Sequence, residues 1–532
     1  ASGKKSDVSK IWHKHKMAFL ERNANRGSIP TGYQIKGSVI MDESVSTMDT
    51  INQTMKEGGD NGWSAASNAG TNAKKLTVSL WFKRSQFHVD NTAKQNWLIA
   101  FVAGGNVLGI NLIGDHVKCY DDLQSFSIAT SRQLLDCAAW YHLVVAVDAS
   151  QGTASNRVKI YINGVQETAL TNAAGNAAAD YGDDANLTPF RTANTNIVIG
   201  GNGGNNAEFN GYIADLHFID GAQKAASDFG EFDEDSGIWV AKEYEDDFGN
   251  LGGRWDFVTL KTPSGKAEGY ADLSGNDNVI NHNNEAREGI ICEDSPQNNF
   301  CTLMKGFDPI VGNHPVHTQG LTIATGGASG QQDSHGTMAV ARGKWYFEWG
   351  MIHIGGIAIG NMFGGISKES QLIEGTVSNA ANGFNSHDGG WGSNVTAIGF
   401  HDGDASSGFT SQSGGALDSV QGVAFDMDNG KIWFHIGGVY TLASGTAGNP
   451  TNGTLAQFTN LLTQYPTSFV VPSVQHYVNQ ATVSMAVNFG NPTDNMFTDV
   501  GSNSDGNGYG SFAYAPPTGF YSLCTKNLAE YG

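Results

Sequence analysis

Three acidic spacings in this 532-residue chain could support chemistry. Glu231-x-Asp233-x-Asp235 sets carboxylates at alternate positions, which on a strand would all face one way. Two carboxylates roughly 5–10 Å apart are what acid-assisted glycoside hydrolysis requires. This triplet adjoins Gly230 and Ser236-Gly237, outside any clear strand, so it reads as a solvated acidic turn. Glu348, the carboxylate within Trp345–Trp349, has no sequence neighbour to pair with. Asp402-Gly-Asp404 and Asp426-Met-Asp428-Asn-Gly430 alternate oxygen ligands in a calcium-like way, yet neither leads to the distal Glu of an EF-hand loop. His13 and His15, two apart, would not share a helix face. No G-x-S-x-G elbow marks a strand–helix junction, and nothing pairs a Cys with a nearby His. The expectation is a non-enzyme with no catalytic residue and no cofactor. A structural Ca2+ is left open, with no metal ligands assigned.

Binding is the chemistry that remains. Trp391 lies in His387-Asp388-Gly-Gly-Trp391-Gly-Ser393, and Trp63 in Asn61-Gly-Trp63-Ser64. A flat ring beside Asn or Asp groups is a reasonable ligand platform. Trp391, His387, Asp388 and Trp63 are therefore the candidate ligand-binding residues, with Trp391 expected in an exposed loop. Trp81, Trp140, Trp345 and Trp433 sit in strand patterns and are expected in the core.

The positioning elements are strands. Gly is 69 of 532 residues and Pro only 12, the profile of many short strands joined by polar turns. Leu76–Phe82, Trp140–Asp148, Val158–Val165, Asn196–Gly200 and Phe209–Phe218 alternate or run apolar. A second set comprises Trp345–Trp349, Ile357–Ile359, Val423–Phe425, Ile432–Phe434, Phe469–Val471 and Ala481–Phe489. Asn163-Gly164 and Asp428-Asn-Gly430 are hairpin turn signals. The five cysteines are scattered without a CxxC, so free buried thiols are expected rather than a disulfide scaffold. No apolar run approaches a membrane span, nor the core of a signal peptide. The chain thus reads as soluble, not exported by the general route.

Four pieces in order, W-Y-H-L-V-V-A-V-D, V-K-I-Y-I-N-G-V, I-V-I-G-G and F-N-G-Y-I-A-D-L, resemble a laminin G/concanavalin-like jelly roll. G-K-W-Y-F-E-W, the D-M-D-N-G hairpin and P-P-T-G-F-Y-S-L-C-T resemble a SPRY-type sandwich. The last piece, with D-x-S-G-N-x-N and D-S-P-x-N-N-F-x-T-L, resembles bacteriophage virion proteins of the tail-fibre kind. The resemblance implies an all-β chain of two antiparallel β-sandwiches. Its parts would be an N-terminal arm or short helix (1–40), a jelly roll (41–225), an acidic, turn-rich connector with few core residues (226–303) and a SPRY-like sandwich (304–532). Jelly rolls of this type often hold one calcium at the sheet rim.

Charge divides the chain. Residues 1–26 hold seven Lys/Arg and two acids, about +5, leaving 24 bases and 50 acids, about −26, in the rest of the −21 total. An acidic body argues against nucleic-acid binding. The basic arm, with Trp12, Phe19, Leu20, Lys14 and Lys16, is expected to anchor the chain to other virion proteins. The implied role is attachment: a tail fibre, spike or capsid-surface fibre, made in the bacterial cytoplasm, homo-oligomeric and not membrane-inserted. Its sandwich loops would bind host-surface glycans or proteins. The rivals are a purely structural decoration protein and a polysaccharide-degrading hydrolase.

Overall fold

Alternation at period two puts Leu76, Val78, Leu80 and Phe82 into one core, while Trp81 from the same strand joins a separate cluster behind it. The same logic repeats in a computed structural model of the chain. It describes residues 32–41, 51–54, 71–85, 96–103, 105–122, 126–172, 179–188, 196–202, 209–262, 269–281, 290–305, 316–318, 320–326, 330–354, 362–368, 390–394, 399–401, 404–405, 419–440, 446–464, 469–478, 483–492 and 501–532. The fold is all-β, two antiparallel sandwiches in series. Among the described residues, no helix is long and apolar enough to cross a membrane.

One sheet of the first sandwich runs Val165–Gln166, Val158–Ile162, Trp140–Asp148, Lys75–Arg84, Gly211–Asp220, Ser38–Met41, Ile290–Cys292, with Gly253–Trp255 also on Gly211–Asp220. The facing sheet runs Leu170–Thr171, Phe126–Gln133, His116–Asp121, Asn106–Ile113, Asn96–Ala103, Asn196–Ile199, Ile51–Thr54. Asn163 (φ 48°) and Gly164 (φ 78°) both take the left-handed conformation that a tight hairpin turn needs. The central strands are apolar in long runs because sheet packing and flanking segments cover both their faces.

The second sandwich pairs one sheet centred on Met362–Lys368 and Val470–Val478 with another centred on Lys344–Ile354. Trp345, Phe347, Trp349, Phe425, Ile432, Val474 and Met485 fill its interior. Trp433 lies on the opposite face of its strand with Tyr346, Phe512 and Phe520. The four tryptophans expected in the core are all buried. So are four of the five cysteines, Cys137 being half-buried, and all five are free thiols.

Residues 226–303 depart from the expected spacer. Trp255, Phe257, Tyr270 and Ile280 belong to the main core of the first sandwich. Their strands are only two or three residues long and so look like turns in the sequence. Asp272 of D-x-S-G-N-x-N caps this region, accepting the N–H groups of Arg254, Ser274 and Asn278 at 3.0, 2.8 and 2.9 Å.

The D-S-P-x-N-N-F segment joins the sandwiches. Asp294 accepts from Lys83 Nζ and Trp140 Nε1, both at 2.7 Å, and from the Phe300 N–H at 3.3 Å. Asn299 donates to the Ala138 carbonyl at 2.6 Å and accepts from Lys83 Nζ at 2.8 Å. Its backbone carbonyl accepts from Thr525 N–H at 2.9 Å, at the start of the C-terminal helix Thr525–Tyr531. Tyr212 adds a contact between the two, donating to the Gly320 carbonyl at 2.6 Å.

Candidate functional site

Of the expected ligand residues, Trp391 lies among the described residues. Trp391 stands on the strand Gly390–Asn394, opposite Ile366, and is fully buried. Its Nε1 donates to Asn460 Oδ1 at 3.1 Å. The expectation of an exposed loop is thus corrected: Gly390 and Gly392 flank a core tryptophan rather than free a surface one. Trp63, His387, Asp388 and the arm residues Trp12, Lys14, Lys16, Phe19 and Leu20 lie outside the described residues.

Of the acidic candidates, Asp233 and Asp426 cap turns, while Asp402 lies outside the described residues. Asp233 Oδ1 accepts the Ser236 N–H and hydroxyl at 2.7 and 2.6 Å, which holds its carboxyl below the ordinary range. The turn closes the exposed hairpin Gly230–Phe232/Trp239–Ala241. Asp426 accepts from the N–H groups of Asp428 and Asn429 at 3.0 Å each, and pairs with Lys344 at 3.2 Å. Among the described residues no three His, Cys, Asp or Glu side chains gather as metal ligands would.

Glu348 does find partners, all but Tyr346 distant in sequence. Its two oxygens accept from Tyr346 Oη (3.0 Å), Tyr514 N–H (2.8 Å), Ala513 N–H (2.9 Å) and Asn488 Nδ2 (3.2 Å). Burial raises its pKa to about 7 against the pull of these donors. Tyr346 Oη also meets His435 Nε2 at 2.7 Å, and His435 Nδ1 accepts the Gly438 N–H at 3.2 Å. Burial lowers the His435 pKa to about 3, so it is neutral, with its proton on Nε2 donated to the tyrosine. The side chains of Tyr346, Glu348, His435 and Asn488 are buried, and through them this network ties strand Lys344–Ile354 to the half-buried residues Ala513 and Tyr514.

The outer face of the seven-stranded sheet of the first sandwich is different. Cross-strand pairing sets Trp97, Asn111 and Lys118 in one row and Ala100, Gly109 and Tyr120 in the next. A register shift between Trp97 and Ile99 lets Leu98 and Ile99 both enter the core while Trp97 faces out. The indole packs across Gly109, where a Cβ would come within 2.0 Å of Cζ3, so only glycine admits it. Trp97 meets the Tyr120 ring edge-on at 5.5 Å, and Lys118 Nζ lies 4.2 Å from the centre of that ring. Trp97 and Asn111 are buried, whereas Lys118, Tyr120, Val107 and His116 are half-buried. Trp97 Nε1 is a buried donor with no hydrogen-bond partner among the described residues. Such a group is costly unless something accepts from it. Burial lowers the Lys118 pKa, opposed by Asp122.

These residues escaped the sequence reading. His116-Val-Lys118-Cys-Tyr120-Asp121 alternates cleanly and could have been assigned one polar face. What the sequence does not reveal is that Trp97 and Asn111 are its lateral neighbours.

This geometry defines a two-sandwich β-protein with an aromatic and polar sheet face. Residues 57–227, within the first sandwich, match the laminin G-type family described as the concanavalin A-like lectin/glucanases superfamily, so this part of the chain is similar to a laminin G/concanavalin-like domain. No curated protein matches the chain. Among solved structures, the SPRY domain of human HERC1 is 13% identical, covering 31% of this chain and 87% of that one at a TM-score of 0.22. The native heptameric SAP-like pentraxin from Limulus polyphemus is 15% identical, with coverage of 36% and 80% and a TM-score of 0.25. The TRIM65 PSpry domain is 15% identical, with coverage of 34% and 90% and a TM-score of 0.22.

Proposed function

We propose that this protein binds glycans through the outer face of the seven-stranded sheet and serves as an attachment protein of a bacteriophage particle. The observation that carries the glycan reading is the unused indole N–H of Trp97, set beside Asn111, Lys118 and Tyr120. Rings that pack on sugar C–H faces and fixed donors that hold hydroxyls are the two parts such a site needs. The lectin/glucanase match of residues 57–227 supports the ligand class. Binding is favoured over hydrolysis because the outward positions of Asn106–Ile113 and His116–Asp121 supply amide, amine, imidazole and phenol groups but no carboxylate pair. The phage reading rests on the C-terminal P-P-T-G-F-Y-S-L-C-T and D-S-P-Q-N-N-F segments and on the basic arm.

Tyr120→Ala should weaken binding to a responsive glycan on an array by about tenfold, or 1.4 kcal/mol, in a chain that circular dichroism shows to be folded. Binding equal to wild type would reject this face as the site. Deleting residues 1–26 should leave folded sandwiches that no longer co-purify with virions. Normal incorporation of the truncated chain would reduce the arm to a tail. Release of oligosaccharide that Glu231→Ala or Asp233→Ala abolishes would favour the hydrolase instead.

A further inference from the structure

Lys118 is a half-buried cation on this sheet face. The formal charge of the chain is −21, and several of its buried or half-buried cations hold acids. Lys83 pairs with Asp294 at 2.7 Å, Arg84 with Asp115 at 2.5 Å, Arg254 with Asp215 at 3.3 Å and Lys75 with Asp148 at 3.1 Å. Lys118 makes no ion pair among the described residues, and its ammonium rests on the Tyr120 ring. Asp122, the acid that acts on it electrostatically, accepts the Val107 N–H at 3.2 Å. Lys118 stands on the same face as Trp97, two strands away across Asn111. Both Lys118 and Trp97 touch Tyr120. The face therefore offers a cation with free donor capacity and a buried N–H donor, both suited to one acceptor group that carries charge.

We propose that Lys118 recognises a carboxylate on the bound sugar, so that the face selects uronic-acid-type glycans over neutral ones. This rests on the glycan-binding reading above. A carboxylate would complete the ion pair that Lys118 lacks among the described residues, and the Trp97 N–H would have an acceptor. It would also have to approach a strongly acidic body, so local positive charge at the contact is needed for net attraction. Binding should then weaken as Lys118 is neutralised and as salt screens the pair.

The test compares three uronic-acid polysaccharides, alginate, polygalacturonate and hyaluronan, with their carboxyl-reduced neutral forms, using the full chain. At least one native polymer should bind, and reduction should lower its affinity by about tenfold or more, the 1.4 kcal/mol step of one charged contact. Lys118→Gln should cause the same loss on the native polymer and little further loss on the reduced one. Lys118→Arg, which keeps the charge, should retain most of the preference. Circular dichroism and melting curves check that each variant is folded. Equal binding of native and reduced polymers, or a preference that survives Lys118→Gln, overturns the carboxylate assignment and leaves glycan binding standing. Binding to none of the six polymers overturns the assignment. If a broad array of neutral and acidic glycans is negative too, the glycan reading falls with it.

Discussion

Lys83→Met should destabilise the folded chain by about 3–5 kcal/mol, because it strands a buried carboxylate. Lys83 and Asp294 are both almost wholly inaccessible and 2.7 Å apart. Burial pushes the Asp294 carboxyl up, and the ammonium beside it pulls it back. Without Lys83, Trp140 Nε1 and the Phe300 N–H still donate to Asp294, but no cation balances its charge. Asn299 Oδ1 loses its lysine donor too. The pH signature has a definite sign. In the variant, the folded-state pKa of Asp294 rises further above its unfolded value. Protonation then favours the fold, so the defect should shrink on acidification and grow again as pH rises. Denaturant melts of wild type, Lys83→Met, Asp294→Asn and the double variant check this. The double variant should recover part of the loss, since neither charge is then unpaired. A single variant as stable as wild type, or a defect that deepens in acid, would reject the account.

The position of this pair explains why the connector motif reads the way it does. Asp294 and Asn299 are five residues apart, and together they grip Lys83, Trp140 and Ala138 on one side and Thr525 on the other. The sequence shows Asp, Ser, Asn and Pro, a turn composition, and the segment does turn. What it cannot show is that the polar groups are buried between two sandwiches, because Lys83, Trp140, Ala138 and Thr525 all lie far along the chain. The same limit hid the core role of Trp255 and Tyr270, whose short strands acquire meaning only when paired.

Strands with alternating residues and Asn-Gly turns were legible, since both signals are local. Trp140–Asp148 and the Asn163-Gly164 hairpin stand where the apolar run and the turn signal put them. Trp391 was misread for a related reason. Its neighbours Gly390 and Gly392 carry no side chain, so the period of two vanishes from the sequence although the strand is present. Its partner strand is glycine-rich as well, with Gly364 and Gly365 facing Ser393 and Gly392. The site row Trp97–Asn111–Lys118 joins three strands. Alternation assigns each residue a face, but the register that brings them side by side is set by the bulge at Trp97 and by pairing.

Glu348 gives the second large effect, and one that sequence alone had dismissed. Its folded pKa, raised to about 7 by burial, exceeds the ordinary 4.5. The unfolded chain therefore releases this proton first as pH rises. Stability associated with Glu348 is fully present below about pH 4.5 and is lost progressively through about pH 7. By linkage the loss is on the order of 3 kcal/mol. Glu348→Gln isolates it. Glutamine does not titrate, so its stability should lack this component between pH 5 and 8. It also turns an N–H2 toward donors that the carboxylate had accepted, from Ala513 and Asn488 or from Tyr346 and Tyr514. The variant should therefore be less stable than wild type at pH 5, by about 1–3 kcal/mol for an unsatisfied buried donor. The gap should close as pH rises, because only the wild type then pays for a buried charge. Urea melts at pH 5, 6, 7 and 8 measure it. A pH-independent gap would mean that Glu348 is ionised throughout this range, its four donors outweighing burial. The network would then be a fixed anion cradle rather than a carboxyl poised near neutrality.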